Sequence, residues 1–206
     1  ILMNEVRKSG VKRLFQTVFT FPHFLSWVLV VGVLNGIFRS YGVLNQIVVS
    51  LGGDRVSFLA EPSFFRPLIV ITAIWKNIGW GSIIYLAAMA GIDPQLYEAA
   101  TIDGANRWRC LAHITWPGIK STAVILLILQ CGQILNAGFN QIFNMYNPAV
   151  YHVGDIIDTY IYRMTFQNPQ NFGFMTAVGV FKSVVNFALL MTANWGARLL
   201  GEQGLF

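Results

Sequence analysis

Four long apolar runs constrain this chain more than any other feature of its sequence. They cover residues 14–38, 67–92, 122–139 and 174–195. An α-helix rises about 1.5 Å per residue, so each run can cross roughly 30 Å of hydrocarbon. Charged residues make up only 11% of the 206 residues, whereas a soluble domain carries about 25%. We therefore predict an all-α polytopic membrane protein with about four transmembrane helices. These would form a single membrane domain over 1–206, with the lipid bilayer as its first partner.

Basic residues predict which helix ends face the cytoplasm. Four of them precede the first run: Arg7, Lys8, Lys12 and Arg13. Because Lys and Arg accumulate on the cytoplasmic side of membranes, the chain is expected to enter the first span from the cytoplasm. Four spans then place 93–121 inside and 140–173 outside. Pro22 lies within the first run and removes a backbone hydrogen bond, so we predict a kink there or a span that begins after a turn.

The segment 93–121 is polar enough to leave the membrane, yet it is patterned for helix. Asp93 can cap a helix N-terminus, and Pro94 suits the first helical position. Gly104 predicts the end of this helix, because glycine readily adopts the left-handed conformation found there. A second helical stretch over 105–115 then leads to Pro117. The sequence therefore predicts a helix, turn, helix hairpin on the cytoplasmic face.

This hairpin resembles the EAA loop of binding-protein-dependent ABC importer permeases. The match consists of Glu98-Ala99-Ala100, Gly104, Ile114 and Trp116-Pro117 at the family's spacing, with Trp116 where the family usually has Leu. The resemblance implies a coupling helix that docks on a separate ATPase subunit. The residues assigned to coupling are Glu98, Ala99, Ala100, Asp103, Gly104, Ile114 and Pro117. The alternative is an amphipathic interfacial hairpin in which Glu98 is merely solvated.

The resemblance extends over most of the chain. Residues 4–27, 147–163 and 181–206 are similar to the oligosaccharide and polysaccharide-uptake branch of these permeases. The branch implies a carbohydrate importer subunit in the bacterial cytoplasmic membrane, with a second homologous permease and an extracytoplasmic sugar-binding protein as partners. ATP and Mg would be bound by the partner ATPase subunits, and this chain would hold no cofactor. Such permeases usually have six spans, so about two are expected to precede this sequence.

Several polar side chains inside the apolar runs are candidates for a substrate pathway. On a helix, Gln130, Gln133, Asn136 and Asn140 would occupy one face. The other candidates are Trp75, Lys76, Asn77, Lys182 and Asn186. Amides and aromatic rings suit a sugar, but the same amides could serve only in hydrogen bonding between helices. The two lysines need water, a partner or a position near a span end, because a charge in hydrocarbon is costly.

Enzymatic activity has no support in the sequence. The three histidines, His23, His113 and His152, have no metal-ligand spacing, and no glycine-rich phosphate loop is present. No metal site, ATP hydrolysis by this chain or nucleic-acid partner is expected. An ion-coupled secondary transporter would be expected to carry intramembrane carboxylates, and the four runs contain none. A non-transporting scaffold would not need the EAA spacing.

Overall fold

The computed structural model describes residues 9–167, 170, 172–202 and 204–206, and these residues form helices and turns with no β-strand. The α-helices are α1 Ser9–Phe24, α2 Trp27–Phe38, α3 Val43–Ser50, α4 Pro62–Ala90, α5 Pro94–Ile102, α6 Arg107–Cys110, α7 Trp116–Cys131, α8 Phe139–Met145, α9 Tyr151–Gly154, α10 Ile157–Gln167 and α11 Phe172–Leu199. A π-helical turn, Leu111–Thr115, joins α6 to α7, and a 3-10 turn, Pro148–Val150, precedes α9.

Four helical segments are long and apolar enough to cross a membrane. They are Trp27–Ser50, Pro62–Ala90, Arg107–Cys131 and Phe172–Leu199. The predicted all-α polytopic class is therefore confirmed. The second and fourth predicted spans agree with the structure to within a few residues, whereas the first and third do not.

The first predicted span is divided between two helices. Pro22 lies in the last turn of α1, which ends at Phe24. The next helix begins after Ser26, whose hydroxyl oxygen accepts a hydrogen bond from the Leu29 amide at 3.3 Å. The predicted interruption near Pro22 is confirmed, but the candidate span begins at Trp27 rather than at residue 14 and continues through α3.

The third predicted span, 122–139, is placed too late in the sequence. The helical segment begins at Arg107 and ends at Cys131, and the chain then turns before α8. Gly138 has a φ of +77°, a conformation in the left-handed region that a continuous helix cannot contain. The prediction that Gln130, Gln133, Asn136 and Asn140 share one helix face is therefore wrong, because only Gln130 precedes the end of α7.

The chain divides into two compact units. The first comprises Gly79–Leu135 and Lys182–Phe206, with the described residues up to Thr17. Its C-terminal segment folds back on the helices. Glu202 forms an ion pair with Lys120 of α7, and the Asn194 Oδ1 atom of α11 accepts a hydrogen bond from the Leu205 amide at 2.6 Å.

The second unit comprises Val18–Ile78 and Asn136–Phe181 and contains a hydrophobic core. Five buried side chains form this core: Val31, Phe65, Leu68, Met145 and Val150. Gly154 packs directly against the Phe65 ring, and a Cβ atom at this position would overlap the ring. The single domain predicted over 1–206 stays a prediction.

Candidate functional site

The helix that carries the EAA residues begins as the sequence predicts. Helix α5 starts at Pro94, and the Asp93 carboxylate accepts a hydrogen bond from the Gln95 amide at 2.9 Å. This bond satisfies one of the amide groups that have no partner within a helical first turn. The predicted N-terminus of this helix is confirmed.

The end of α5 is a glycine-based helix stop. The Ala105 amide donates to the Ala100 carbonyl at 2.8 Å, and the Gly104 amide donates to the Thr101 carbonyl at 3.1 Å. This pair of bonds defines a Schellman motif, which needs a left-handed residue after the helix. Gly104 supplies it with a φ of +76°. A β-branched side chain at this position would strain the turn.

The EAA helix presents its side chains outward. No residue of α5 is buried; Glu98 and Ala99 are exposed, and Ala100 is half-buried. Ile102 is 87% exposed and Leu96 is 53% exposed. Neighbouring apolar side chains left uncovered beside a carboxylate are typical of a protein interaction surface. Asp103 and Gly104 are exposed as well, so the predicted coupling residues of this helix lie on one accessible loop.

The second half of the predicted hairpin is not a separate short helix. Helix α6, the π turn and α7 follow one another without interruption from Arg107 to Cys131. Pro117 therefore lies inside a long helical segment instead of ending one. The Trp116 amide donates to the Leu111 carbonyl, five residues back. This wider turn comes immediately before a residue that has no amide hydrogen to donate, and π turns of this kind recur at functional sites.

One side-chain hydrogen bond joins the EAA helix to this π turn. The Tyr97 hydroxyl on α5 lies 2.9 Å from the Thr115 hydroxyl, and Thr115 is buried. The Thr115 hydroxyl is also 3.5 Å from the Cys110 carbonyl oxygen, to which it donates. We call the Tyr97–Thr115 contact the coupling joint. Sequence reasoning missed both residues, although each is next to or within two residues of a motif position.

Lys76 is hydrogen-bonded to the backbone at and just after the end of α1. Its ammonium group donates to the carbonyl oxygens of Pro22, His23 and Leu25 at 2.9, 2.7 and 2.6 Å. The Trp27 ring centroid lies 5.5 Å from the same nitrogen. An ammonium group has three hydrogens to donate, so these three carbonyls saturate it. The ammonium group thus supplies donors to carbonyl oxygens at the end of α1. In turn, these carbonyls stabilise a positive charge at the middle of α4.

The neighbours of Lys76 point elsewhere. Trp75 and Asn77 are exposed, whereas Lys76 is buried. The Asn77 amide donates to the Ala73 carbonyl at 2.9 Å, and its Oδ1 atom lies 3.4 Å from Nδ1 of His23. These three candidate pathway residues therefore do not present one common surface, because successive helical residues differ in direction by about 100°.

The remaining pathway candidates belong to the end of α7, the turn after it and α11. Gln130, Gln133 and Asn136 are exposed. Lys182 is buried on α11, and one turn later the Asn186 Oδ1 atom accepts a hydrogen bond from the Leu135 amide at 3.3 Å. Asn186 thus anchors the turn that follows α7.

Two buried amides were missed by sequence reasoning. Gln141 on α8 donates to the Ile69 carbonyl at 2.7 Å and to the Thr72 hydroxyl at 2.8 Å. Asn45 donates to the carbonyls of Arg39 and Val56, and it accepts from the Val56 amide at 2.8 Å. The partners of Gln141 lie 69 and 72 residues away in sequence, and those of Asn45 lie 6 and 11 residues away. Only the position of these amides within apolar surroundings could have suggested them.

An ion pair with aromatic neighbours lies in the second unit. Arg163 forms two hydrogen bonds with the Asp155 carboxylate, at 3.2 and 2.5 Å, and its guanidinium lies 4.5 Å from the Tyr151 ring centroid. The hydrogen bond that Arg163 donates to Asp155 raises the pKa of Arg163, so the guanidinium stays charged. Burial raises the pKa of Tyr146, so its phenol stays neutral. Asp155 is therefore already neutralised within the chain.

Metal binding has no site in the described part of the chain. No three or more His, Cys, Asp and Glu side chains come together there in a group that could hold a metal ion.

The comparison with protein families agrees with the EAA geometry. The sequence matches the family described as "Binding-protein-dependent transport system inner membrane component" over residues 1–198. The chain therefore belongs to this family, whose members are transport permeases.

Individual relatives cover the whole chain. Protein LplB of Bacillus subtilis (strain 168) is 46% identical over 207 residues, which is 100% of this chain and 65% of that protein. The polygalacturonan/rhamnogalacturonan transport system permease protein YteP of the same strain is 44% identical, over 100% of this chain and 64% of that protein. The chain thus spans just under two thirds of the length of these relatives.

Solved structures share the fold. A chain in the crystal structure of a bacterial alginate ABC transporter, in complex with an alginate pentasaccharide-bound periplasmic protein, superimposes with a TM-score of 0.91. It is 40% identical, and the match covers 99% of this chain and 71% of that chain. This chain therefore has the fold of an ABC transporter permease.

Proposed function

We propose that this chain is the membrane-spanning permease subunit of an ATP-driven saccharide importer. The observation that carries the proposal is the EAA helix, which exposes Glu98, Ala99 and Ile102 between two candidate spans. Family membership and a relative described as a polygalacturonan/rhamnogalacturonan transport system permease protein support the same function. Ion-coupled transport is not favoured, since it explains neither the EAA spacing nor the family.

The partners follow from this proposal. ATPase subunits would bind ATP and Mg and receive α5 at their surface, so that this chain would have no enzymatic activity of its own. A second homologous permease would complete the pathway, and an external saccharide-binding protein would deliver the cargo. The periplasmic protein in the alginate transporter structure supports such a partner. The multi-pass chain would lie in the bacterial cytoplasmic membrane.

The mechanism would couple ATP-driven closure of the ATPase subunits to movement of the spans. Helix α5 would move with the ATPase, and the coupling joint would pass this motion to the π turn at the start of α7. Because packed helices move as units rather than deforming continuously, a displacement of α5 would tilt α7. Saccharide would then pass from the outer to the inner side.

Substitution of Gly104 tests the coupling assignment. Gly104→Val forces a β-branched residue into the left-handed conformation, and we expect saccharide-stimulated ATP hydrolysis in the reconstituted full-length complex to fall at least tenfold. Gly52→Val is a matched control, since Gly52 also has a positive φ of +85° and open space around it. Equal activity of Gly104→Val and Gly52→Val would refute the assignment.

We also propose that Gln130, Gln133 and Asn136 contact the cargo. Their exposure supports this role, although it is now exposure at a helix end and turn rather than on one helix face. Gln133→Leu should weaken uptake of one oligosaccharide more than another, because each lost hydrogen bond costs about 0.5–1.5 kcal/mol. A lower yield of intact complex with unchanged saccharide preference would instead assign Gln133 to packing.

A further inference from the structure

A cavity of about 310 Å³ lies in the second unit, and neither the EAA residues nor the proposed pathway residues are among those that line it. It is lined by the end of α2, the segment before α4 and the end of α8. The lining residues on which its chemistry depends are Asn35, Phe38, Arg39, Ser40, Ser57 and Tyr146. Small-molecule sites occupy cavities of roughly 300–1,000 Å³, so this cavity has room for a small ligand or one unit of a longer one.

Two side-chain amides fix the walls of this cavity. Asn45 is 1% exposed, and its side chain ties the Arg39 carbonyl to the Val56 backbone. The Asn147 amide donates to the Leu59 carbonyl at 2.9 Å, which joins the wall before α4 to the wall after α8. A site whose backbone is held in place loses less conformational entropy when a ligand binds.

The side chains on the wall offer hydrogen-bond donors and one positive charge. Within the described residues, the side chains of Asn35, Arg39, Ser40 and Ser57 form no hydrogen bond or ion pair, and no carboxylate lines the cavity. Arg presents a planar fork of N–H groups that matches a carboxylate with two hydrogen bonds. The chemistry of the wall therefore favours an anion that also carries hydroxyl groups.

Aromatic side chains complete the site. Phe38 and Tyr146 both line the cavity beside these donors. A few convergent polar groups on an apolar and aromatic wall are typical of a site for a small organic molecule. A sugar acid combines hydroxyls, an apolar ring face and a carboxylate, so it fits this wall better than a simple inorganic anion.

We propose that this cavity is an outer subsite for a uronate unit of an anionic saccharide, with Arg39 binding its carboxylate. The inference rests on the proposed function, which places the EAA loop on the cytoplasmic side of the membrane. The opposite end of the span that leads into this loop then faces the outside. Helix α4 leads into the EAA loop at its C-terminal end, so Ser57 and Leu59, which precede its first residue, lie on the extracytoplasmic side. The cavity would thus receive the saccharide before it enters the membrane.

The test measures saccharide binding by the full-length permease complex in nanodiscs of a zwitterionic lipid, without the external binding protein. The probes are trigalacturonate and its fully methyl-esterified form, which keeps the sugar rings but removes the negative charges. Arg39→Gln should weaken trigalacturonate binding about tenfold and leave the ester within about twofold. Arg39→Lys should retain part of the preference, since it keeps the charge but loses the fork.

Arg55→Gln is the matched control, because Arg55 lies over the Tyr41 ring and does not line the cavity. It should bind both probes as the wild type does. No binding by the wild type, or an equal loss of both probes in Arg39→Gln, would overturn the subsite. Absence of saccharide-stimulated ATP hydrolysis in the wild type would instead refute the proposed function.

Discussion

The EAA loop and the core around Phe65 differ in how completely their side chains are buried and paired within the chain. No side chain of α5 is buried, and Ile102 is 87% exposed. Around the core, Phe65 and Val150 are fully buried, and the buried amides of Asn45 and Gln141 find backbone partners. The second region is complete within the chain, whereas the first leaves apolar surface uncovered. Buried polar groups need hydrogen-bond partners. Where this chain supplies those partners itself, as around Phe65, its own residues determine the structure.

This difference predicts opposite consequences of mutation. Changes in the second unit, which contains the core around Phe65, should lower stability. Changes in the EAA loop should lower coupling while leaving the chain folded. Four substitutions test the contrast, in order of decreasing effect on stability.

Lys76→Met should have the largest effect. It removes three hydrogen bonds to carbonyls at the end of α1, and bonds to charged groups contribute about 1.5–3 kcal/mol each. Because removing the cation also removes its cost in hydrocarbon, we expect a net loss of about 3 kcal/mol. Denaturant titration in detergent measures it. The exposed neighbour Ile78→Met serves as control and should not change stability.

Uptake measurements with Lys76 variants distinguish a structural role of this residue from a role in transport. If the Lys76→Met protein is as stable as the wild type but does not transport, then Lys76 acts on the cargo. The proposed role of Lys76 in holding the carbonyls at the end of α1 would then be wrong. A stability loss that accounts for the reduced transport assigns it to the break between α1 and α2.

Gly154→Ala should have the next largest effect. Its new methyl group would overlap the Phe65 ring, which is fully buried. Overpacking of this kind costs typically about 1–3 kcal/mol, and the Tm of the purified protein should fall. Gly36→Ala adds a methyl group where no atom lies within 4 Å, and its Tm should not fall. Equal Tm values for the two variants would contradict this prediction, because the Phe65 ring would then move aside at little cost in free energy.

Tyr97→Phe should have a smaller effect on stability and a clear effect on coupling. It removes only the hydroxyl of the coupling joint, which is worth about 0.5–1.5 kcal/mol. Saccharide uptake per ATP hydrolysed should fall severalfold, with the yield of complex unchanged. Tyr85→Phe is the control, because the Tyr85 hydroxyl makes no hydrogen bond to a described residue.

A double-mutant cycle makes this prediction stricter. If the joint transmits motion, Tyr97→Phe and Thr115→Val should not have additive effects on the coupling ratio. Additive losses would mean that the two hydroxyls act independently.

Glu98→Gln should leave the stability of the isolated chain unchanged. Glu98 is exposed and forms no ion pair with a described residue. Its carboxylate is available to a basic partner, so the affinity for the ATPase subunits should fall severalfold. Co-purification at increasing salt measures this loss, with Glu61→Gln as a control outside the loop. A destabilised chain with normal ATPase binding would place Glu98 in the fold instead.

Local patterns predicted the EAA loop well. The start of α5 depends on Asp93 and Pro94, and its end on Gly104, so neighbouring residues define both boundaries. The same reasoning failed for the third span, because hydropathy does not register the turn at Gly138 or the π turn before Pro117. Apolar residues continue across both irregularities.

The sequence by itself determined the helical membrane class, the number of candidate spans and both ends of α5. Long apolar runs and capping residues act over one helix, so their consequences can be derived from neighbouring residues. Only the tertiary structure decided that Lys76 binds the end of α1, that Thr115 meets Tyr97, and that Arg39 lines a cavity. Two of these depend on partners from 18 to 54 residues away in sequence, and the third depends on three separate segments. Hydrogen bonds require atoms within about 3 Å, and packing of distant segments, rather than local pattern, brings those atoms together.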